Sequence, residues 1–163
     1  MKTKQWVYNA LVAALYVTVT GVLTPISFGV IQFRVAEIFN HLAVFNKKYI
    51  VGVVLGVFIS NLFFSQIVLF DLVFGVGHTL FSFGLLAIFS SKQMSLKLRM
   101  TINTLSFAIG SFLIAWELYL ALEFPFWLSY LSVAIGELVV MGLGVPLMLY
   151  INSKLHFSKI MEK

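Results

Sequence analysis

The stretch FWLSYLSVAIGELVVMGLGVPLMLYI, residues 126–151, contains one charged side chain, that of Glu137. A helix needs about 20 consecutive apolar residues to cross the hydrocarbon core of a bilayer, and this stretch exceeds that length. The whole chain is similar, because 61% of its 163 residues are hydrophobic and 10% are charged. Soluble domains carry about 25% charged residues. The sequence therefore predicts an all-α integral membrane protein with a single transmembrane domain, residues 1–163.

Working outward from this stretch, the same criterion predicts six transmembrane helices in total. The five others span residues 6–23, 33–46, 49–64, 71–89 and 100–122. The second of them is short for a span and unusually polar, since it carries Arg34, Glu37, Asn40 and His41. We expect neighbouring helices to shield it from lipid.

The basic residues predict the orientation of these helices, because cytoplasmic loops carry an excess of Lys and Arg. Ten of the eleven basic residues fall at the two chain ends or in alternate loops, and Arg34 is the exception. The loops at residues 25–32, 65–70 and 122–125 contain none. Both termini are therefore predicted to face the cytoplasm of a bacterial plasma membrane. The pI of 9.6 reflects this orientation, and nucleic acid is not an expected partner.

Several function classes are excluded by what the sequence lacks. It has no cysteine, no closely spaced pair of histidines, no Walker loop and no G-x-S-x-G motif. We therefore predict no metal site, no cofactor and no enzyme activity. There is also no convincing internal repeat of the kind found in many secondary transporters.

Charged side chains inside a membrane are the strongest pointers to function, since each costs about 2.5–3.5 kcal/mol at the centre of a helix on insertion scales. Five of the six acids are predicted in the outer half of the protein, where Arg34 is the one permanent cation. These acids are Glu37, Asp71, Glu117, Glu123 and Glu137.

Helical spacing gathers further polar groups around these acids. Arg34, Glu37 and His41 share one helix face, with Asn40 beside it. Other predicted contributors are Asn61, Asp71 with His78 seven residues later, and the aromatic side chains of Phe33 and Trp116. The pattern indicates an outward-facing, acidic pocket with aromatic walls. Such a pocket suits a small cationic ligand that has N–H donors and a flat ring.

Structural roles compete with ligand binding at several of these positions. Arg34 and Glu37 could form an i,i+3 ion pair, and Asp71 could be favoured by the dipole at a helix N-terminus. His41 and His78 could be packing residues with satisfied hydrogen bonds. Glu117 and Glu137 are the hardest to explain structurally.

Small residues indicate two close helix contacts. Ala10 and Ala14 lie one turn apart on the first helix, and Gly52 and Gly56 lie one turn apart on the third. This spacing permits close helix approach, either within the protein or against another membrane protein.

Two segments resemble the QueT family, the substrate-binding S-components of energy-coupling factor (ECF) transporters for queuosine precursors. They are Ile31-Gln32-Phe33-Arg34-Val35-Ala36-Glu37 and Asp71-Leu72-Val73-Phe74-Gly75. The Ala10-x-x-x-Ala14 helix and the six spans with both ends inside agree with this resemblance, which covers essentially the whole chain.

The resemblance implies an S-component bundle that captures its substrate outside and delivers it inward with a transmembrane coupling protein and two cytoplasmic ATPases. The coupling protein would dock on Ala10 and Ala14. The implied ligand is 7-aminomethyl-7-deazaguanine or a related deazapurine such as queuine. The expected substrate contacts are Phe33, Arg34, Glu37, Asn40, Asn61, Asp71, His78, Trp116, Glu117 and Glu137.

Three other functions stay open from the sequence. The chain could be an S-component for another cationic vitamin such as thiamine. It could be an autonomous transporter that uses Glu117 or Glu137 to relay protons, or a small intramembrane enzyme.

Overall fold

A computed structural model describes residues 2–27 and 32–162 of the chain, and these residues form an all-helical bundle. We number its main helices in chain order: α1 Thr3–Val22, α2 Val35–Phe45, α3 Lys47–Phe64, α4 Val68–Phe89, α5 Leu96–Leu122, α6 Phe126–Leu155 and α7 Phe157–Glu162. Residues 28–31, which are half of the predicted 25–32 loop, lie outside the described residues.

Five helices are long and apolar enough to cross a bilayer, namely α1, α3, α4, α5 and α6. The membrane character of the chain is therefore confirmed, and five of the six predicted spans match helices of sufficient length. The remaining one, α2, is shorter than the roughly 20 residues that a span requires. It begins as a 3₁₀-helix, Val35–His41, and ends as one α-helical turn, Leu42–Phe45.

The short helix α2 lies inside the bundle. Its polar side chains Glu37, Asn40 and His41 are at most 1% exposed, and Val44 is fully buried. The predicted shielding by neighbouring helices is thus confirmed. The outer surface of the bundle instead carries large apolar side chains such as Leu69 and Leu143, which is the surface expected against lipid.

Helices α1 and α3 approach each other through the two glycines of α3. A Cβ atom at Gly52 would lie 2.7 Å from the backbone oxygen of Asn9, and one at Gly56 would lie 2.6 Å from Cβ of Tyr16. The Gly52 and Gly56 pair therefore serves internal packing. Ala10 and Ala14 lie on the opposite, exposed face of α1.

The two chain ends meet at one end of the bundle. The Gln5 side chain donates a 2.9 Å hydrogen bond to the backbone oxygen of Met161, and Lys48 donates to the same oxygen at 3.2 Å. At the same end the Arg99 guanidinium donates to the backbone oxygen of Val44 at 2.6 Å. The segments at residues 46–48 and 90–95 therefore lie at the same end of the bundle as Gln5 and Met161.

Helix α4 contains one irregular turn that positions its polar side chains. Residues Asp71–Gly75 form a π-helical turn, which is a local widening that occurs often at functional sites. Gly75 lies against the carboxamide of Asn61 on α3, where there is no room for a side chain. This close approach brings Asp71 into the interior.

Candidate functional site

A cluster of buried polar side chains fills the interior between the five long helices and α2. Nine of its members are at most 8% exposed: Arg34, Glu37, Asn40, His41, Asn61, Asp71, His78, Glu117 and Glu137. The cluster contains four carboxyl groups and one guanidinium. This composition agrees with the acidic pocket predicted from the sequence.

Arg34 pairs with a carboxylate on a different helix. Its Nη2 lies 3.1 Å from Oδ1 of Asp71 on α4, and both side chains are buried. The structure thus joins Arg34 to α4. Glu37, three residues later, also interacts electrostatically with Arg34.

Asp71 is also held by two residues at the end of α3. The Ser65 hydroxyl donates to Oδ2 of Asp71, and the Asn61 carboxamide donates to its backbone oxygen at 2.8 Å. Both carboxylate oxygens of Asp71 therefore have partners within the protein. The helix begins at Val68, three residues before the predicted start at Asp71.

Glu37 is fixed by two donors. Tyr16 on α1 donates a 2.7 Å hydrogen bond to Oε1 of Glu37, and the Asn40 carboxamide donates to Oε2. Tyr16 is 2% exposed and was not predicted as a site residue. Its signal in the sequence is weak: it lies seven residues after Asn9 on an otherwise apolar helix.

Glu117 and Glu137 differ from the other two acids, because they have carboxylate oxygens without donors. Both oxygens of Glu117 and Oε2 of Glu137 are buried and receive no hydrogen bond from an N–H or hydroxyl group of the described residues. Glu117 interacts electrostatically with Asp71 and Arg34, and Glu137 with Glu37 and Arg34. Buried acceptors of this kind are costly unless something else bonds to them.

The two histidines bond to backbone oxygens of neighbouring helices. His41 Nε2 lies 2.9 Å from the oxygen of Met141, and its Nδ1 lies 3.3 Å from the carboxamide of Asn103. His78 Nε2 lies 3.0 Å from the oxygen of Phe107. These contacts are those expected of packing histidines, and for His41 they occupy both ring nitrogens.

The aromatic residues predicted as pocket walls have different environments. Phe33 is half-buried, and its ring edge approaches Gly136, next to Glu137. Trp116 is 51% exposed, so the structure does not bring it into the buried cluster. Gln32, which precedes Phe33, was not predicted, yet it is buried and its Oε1 has no donor among the described residues.

The arrangement offers unbonded hydrogen-bond acceptors to a ligand. Among the described residues, no group of three or more His, Cys, Asp or Glu side chains could hold a metal ion. Unbonded carboxylate oxygens and the carboxamide oxygens of Gln32 and Asn40 offer hydrogen-bond acceptors in excess of donors. A ligand with several N–H groups and a positive charge would complement them.

The chain resembles known proteins along almost its entire length. A family described as "QueT transporter" matches residues 6–153. The chain is also 37% identical, over 97% of its length, to the curated queuosine precursor transporter QueT of Lactococcus lactis subsp. cremoris (strain MG1363), 98% of which is covered. No solved structure matches the chain.

Proposed function

Because this multi-pass plasma-membrane protein belongs to the QueT transporter family, we propose that it is the S-component of an ECF importer for a queuosine precursor. The proposed substrate is 7-aminomethyl-7-deazaguanine or a closely related deazapurine. The protein would bind it from outside and deliver it inward together with a coupling protein and two ATPases.

The proposed topology has six crossings with both ends in the cytoplasm. The hydrogen bond between Gln5 and Met161 supports an even number of crossings, since it brings both chain ends to one end of the bundle. Lys48 and Arg99 lie at that same end, which agrees with the positive-inside rule. In this topology α2 returns the chain through the bundle, with its polar groups facing the interior.

One observation carries the substrate proposal: the buried carboxyl groups of Glu117 and Glu137 have oxygens without donors, whereas Glu37 and Asp71 are bonded to the protein. A deazaguanine has adjacent N–H donors that one carboxylate can accept as a fork, and its aminomethyl group is a cation. Such a ligand would donate hydrogen bonds to the unbonded oxygens of both Glu117 and Glu137.

The geometry suggests which part of the ligand each predicted residue contacts. We assign Glu137 and Glu117 to the guanine N–H edge and the ammonium group, in an order that binding data must decide. Phe33, which approaches Gly136 next to Glu137, would stack on the ring of the ligand. Glu37 and Asn40 would provide further hydrogen-bond acceptors.

A second group of residues would support the pocket. Arg34 is bonded to Asp71, and Asn61 is bonded to the backbone of Asp71, so the proposed role of these three residues is to shape the pocket. His78 on α4 would support the pocket through its hydrogen bond to the backbone oxygen of Phe107 on α5. Trp116 has no assigned contact in this arrangement, because half of it is exposed.

Docking of the coupling protein is proposed on the exposed face of α1 that carries Ala10 and Ala14. The matching glycine pair on α3 is occupied by α1 itself, whereas these alanines have open space in front of them. Small side chains there would let another helix approach closely.

Calorimetric titration of the purified chain in detergent tests the substrate. We expect tight binding of 7-aminomethyl-7-deazaguanine, weaker binding of guanine, and none of thiamine. Queuine should be included, since it extends the same aminomethyl position. A folded protein that binds thiamine, or none of the four compounds, would contradict the proposal.

One structural observation also favours a second function. Buried carboxyl groups such as Glu117 and Glu137 can relay protons in autonomous transporters. Uptake in cells that lack the coupling protein and ATPases separates the two. The S-component proposal requires that uptake stop without them, whereas an autonomous transporter would continue and depend on the proton gradient.

A further inference from the structure

A cavity with two chemically different parts lies between α1 and α6 at the end of the bundle where the chain termini meet. The first part, the apolar trench, has a volume of about 300 Å³ and follows α1 from Tyr8 through Leu11 to Leu15. Its opposite wall includes Ile151 on α6, and α2 forms its floor. No charged side chain lines this part.

The second part, the basic cup, has a volume of about 290 Å³ and is lined by Lys4, His156 and Lys159. Tyr8, Leu155 and Ile160 line both parts, so the trench and the cup adjoin. The site thus has an apolar section along the bundle and a cationic section at its end.

The two lysines of the cup have no side-chain partners among the described residues. Neither Lys4 nor Lys159 forms a hydrogen bond or an ion pair through its side chain with any described residue. The Tyr8 hydroxyl also lacks a bond to the residues described. Lys48, which lies nearby, is by contrast committed to the backbone oxygen of Met161.

The cup exists because α7 folds back on the bundle. Tyr49 donates a 3.1 Å hydrogen bond to the backbone oxygen of Phe157, whose ring packs on those of Tyr49 and Phe45. Met161 is fully buried and bonded to Gln5. These contacts hold Lys159 beside Lys4, which keeps two positive charges together without an acid in the lining.

We propose that this cavity binds one anionic glycerophospholipid, with an acyl chain in the apolar trench and the phosphate in the basic cup. Charge complementarity selects this occupant, since lysines attract anionic headgroups and phosphate accepts charge-assisted hydrogen bonds. The polarity order along the cavity is that of a lipid in a leaflet: apolar inside the bundle's membrane span, cationic at its end. A second cavity on α6, at Leu128 and Ile135, is apolar without a cation, and a third, between α5 and α6, is lined by Lys97 but by no second cation.

Native mass spectrometry of the full chain in detergent tests the proposal with dioleoyl phosphatidylglycerol and dioleoyl phosphatidylcholine as probes. We expect one retained phosphatidylglycerol molecule and a preference over phosphatidylcholine of about tenfold or more, because each lysine near an anionic lipid contributes about fivefold. Equal retention of the two lipids by the wild-type chain would overturn the proposal.

Variants locate the site. K4Q/K159Q should remove the preference, whereas the matched control K47Q/K92Q, which alters two exposed lysines that line neither the trench nor the cup, should keep it. Leu15→Trp should fill the trench and reduce retention of both lipids, while Leu143→Trp on the exposed face of α6 should not. An equal loss in both lysine variants would mean that general surface charge attracts the lipid, and the proposal would be wrong.

The thermal unfolding midpoint of each variant checks that it is folded. Phosphatidylglycerol should raise that midpoint for the wild-type chain and for K47Q/K92Q, but not for K4Q/K159Q. Should K4Q/K159Q fail to fold, the wild-type comparison of the two lipids decides alone.

Discussion

The Tyr16 hydroxyl donates a 2.7 Å hydrogen bond to Oε1 of Glu37, and this bond joins α1 to the carboxylate at the centre of the proposed pocket. On the other side of the same helix, Ala10 and Ala14 face outward. One helix therefore contacts the proposed ligand site with one face and offers the predicted docking surface with the other.

Tyr16→Phe removes this donor and leaves the ring in place. We expect substrate affinity to fall about tenfold, because a hydrogen bond to a charged group contributes about 1.5–3 kcal/mol and Glu37 would lose its fixed orientation. Calorimetric titration measures the change. Tyr150→Phe on the exposed part of α6 is the matched control, and an equal loss there would contradict the assignment.

Glu137→Gln and Glu117→Gln remove a negative charge at nearly constant shape. Each should lower the affinity for 7-aminomethyl-7-deazaguanine by about 100-fold or more, since a buried charge-assisted bond is lost. Glu123→Gln, in the exposed outer turn, should change nothing.

Comparison with 7-deazaguanine, which lacks the ammonium group, identifies the acid that faces it. The variant at that acid should lose much less affinity for 7-deazaguanine than for the aminomethyl compound. If both variants bind the aminomethyl compound as the wild type does, neither acid contacts the ligand.

The buried pair of Arg34 and Asp71 should matter more for folding when one partner is removed than when both are. Arg34→Met or Asp71→Leu alone leaves an uncompensated buried charge, which costs about 3–5 kcal/mol of unfolding free energy. Thermal unfolding in detergent should show a large loss for each single variant and partial recovery in the double variant. Additive losses would indicate that the two side chains are not energetically coupled.

Gly56→Ala should destabilise the α1–α3 contact, because the added Cβ would lie 2.6 Å from Cβ of Tyr16. Overpacking of this kind typically costs about 1–3 kcal/mol. At Gly84 a Cβ meets nothing within 4 Å, so Gly84→Ala is the control and should be neutral or stabilising. Equal unfolding midpoints for the two variants would argue against the close helix approach.

Ala10→Trp and Ala14→Trp should separate binding from transport. Both residues are exposed, so we expect unchanged substrate affinity, but the bulky ring should block the approach of a coupling helix and abolish uptake. Ala87→Trp, on the exposed face of α4, is the control and should leave uptake intact. Normal uptake by the Ala10 and Ala14 variants would contradict docking on this face.

Much of the fold could be predicted because bilayer thickness fixes the length of an apolar helix. The five long helices follow from the sequence to within a few residues, as Phe126–Leu155 shows against the predicted 126–151. The conformation of α2 could not be predicted, since its 3₁₀ turn depends on packing inside the bundle. Helical periodicity placed Arg34 beside Glu37 but could not indicate the ion pair that Arg34 forms with Asp71 on α4.

The acidic members of the site were accessible from the sequence, because an ionisable residue in an apolar helix is conspicuous. Their partners were not. Tyr16 and Ser65 resemble ordinary helix and loop residues until the tertiary structure places their hydroxyls beside Glu37 and Asp71. Trp116 shows the reverse case: a large aromatic side chain is as common on a lipid-facing surface as in a pocket.

The hydrogen bond between Gln5 and Met161 places the first and last helices side by side, so the helices could be connected in a different order along the chain. A short linker could join the native ends, and new ends could be opened in the exposed loop at residues 90–95. Since that loop lies at the same end of the bundle, such a circular permutant would keep every helix in its direction. The protein would then begin with α5 and finish with α4, with the same pocket inside.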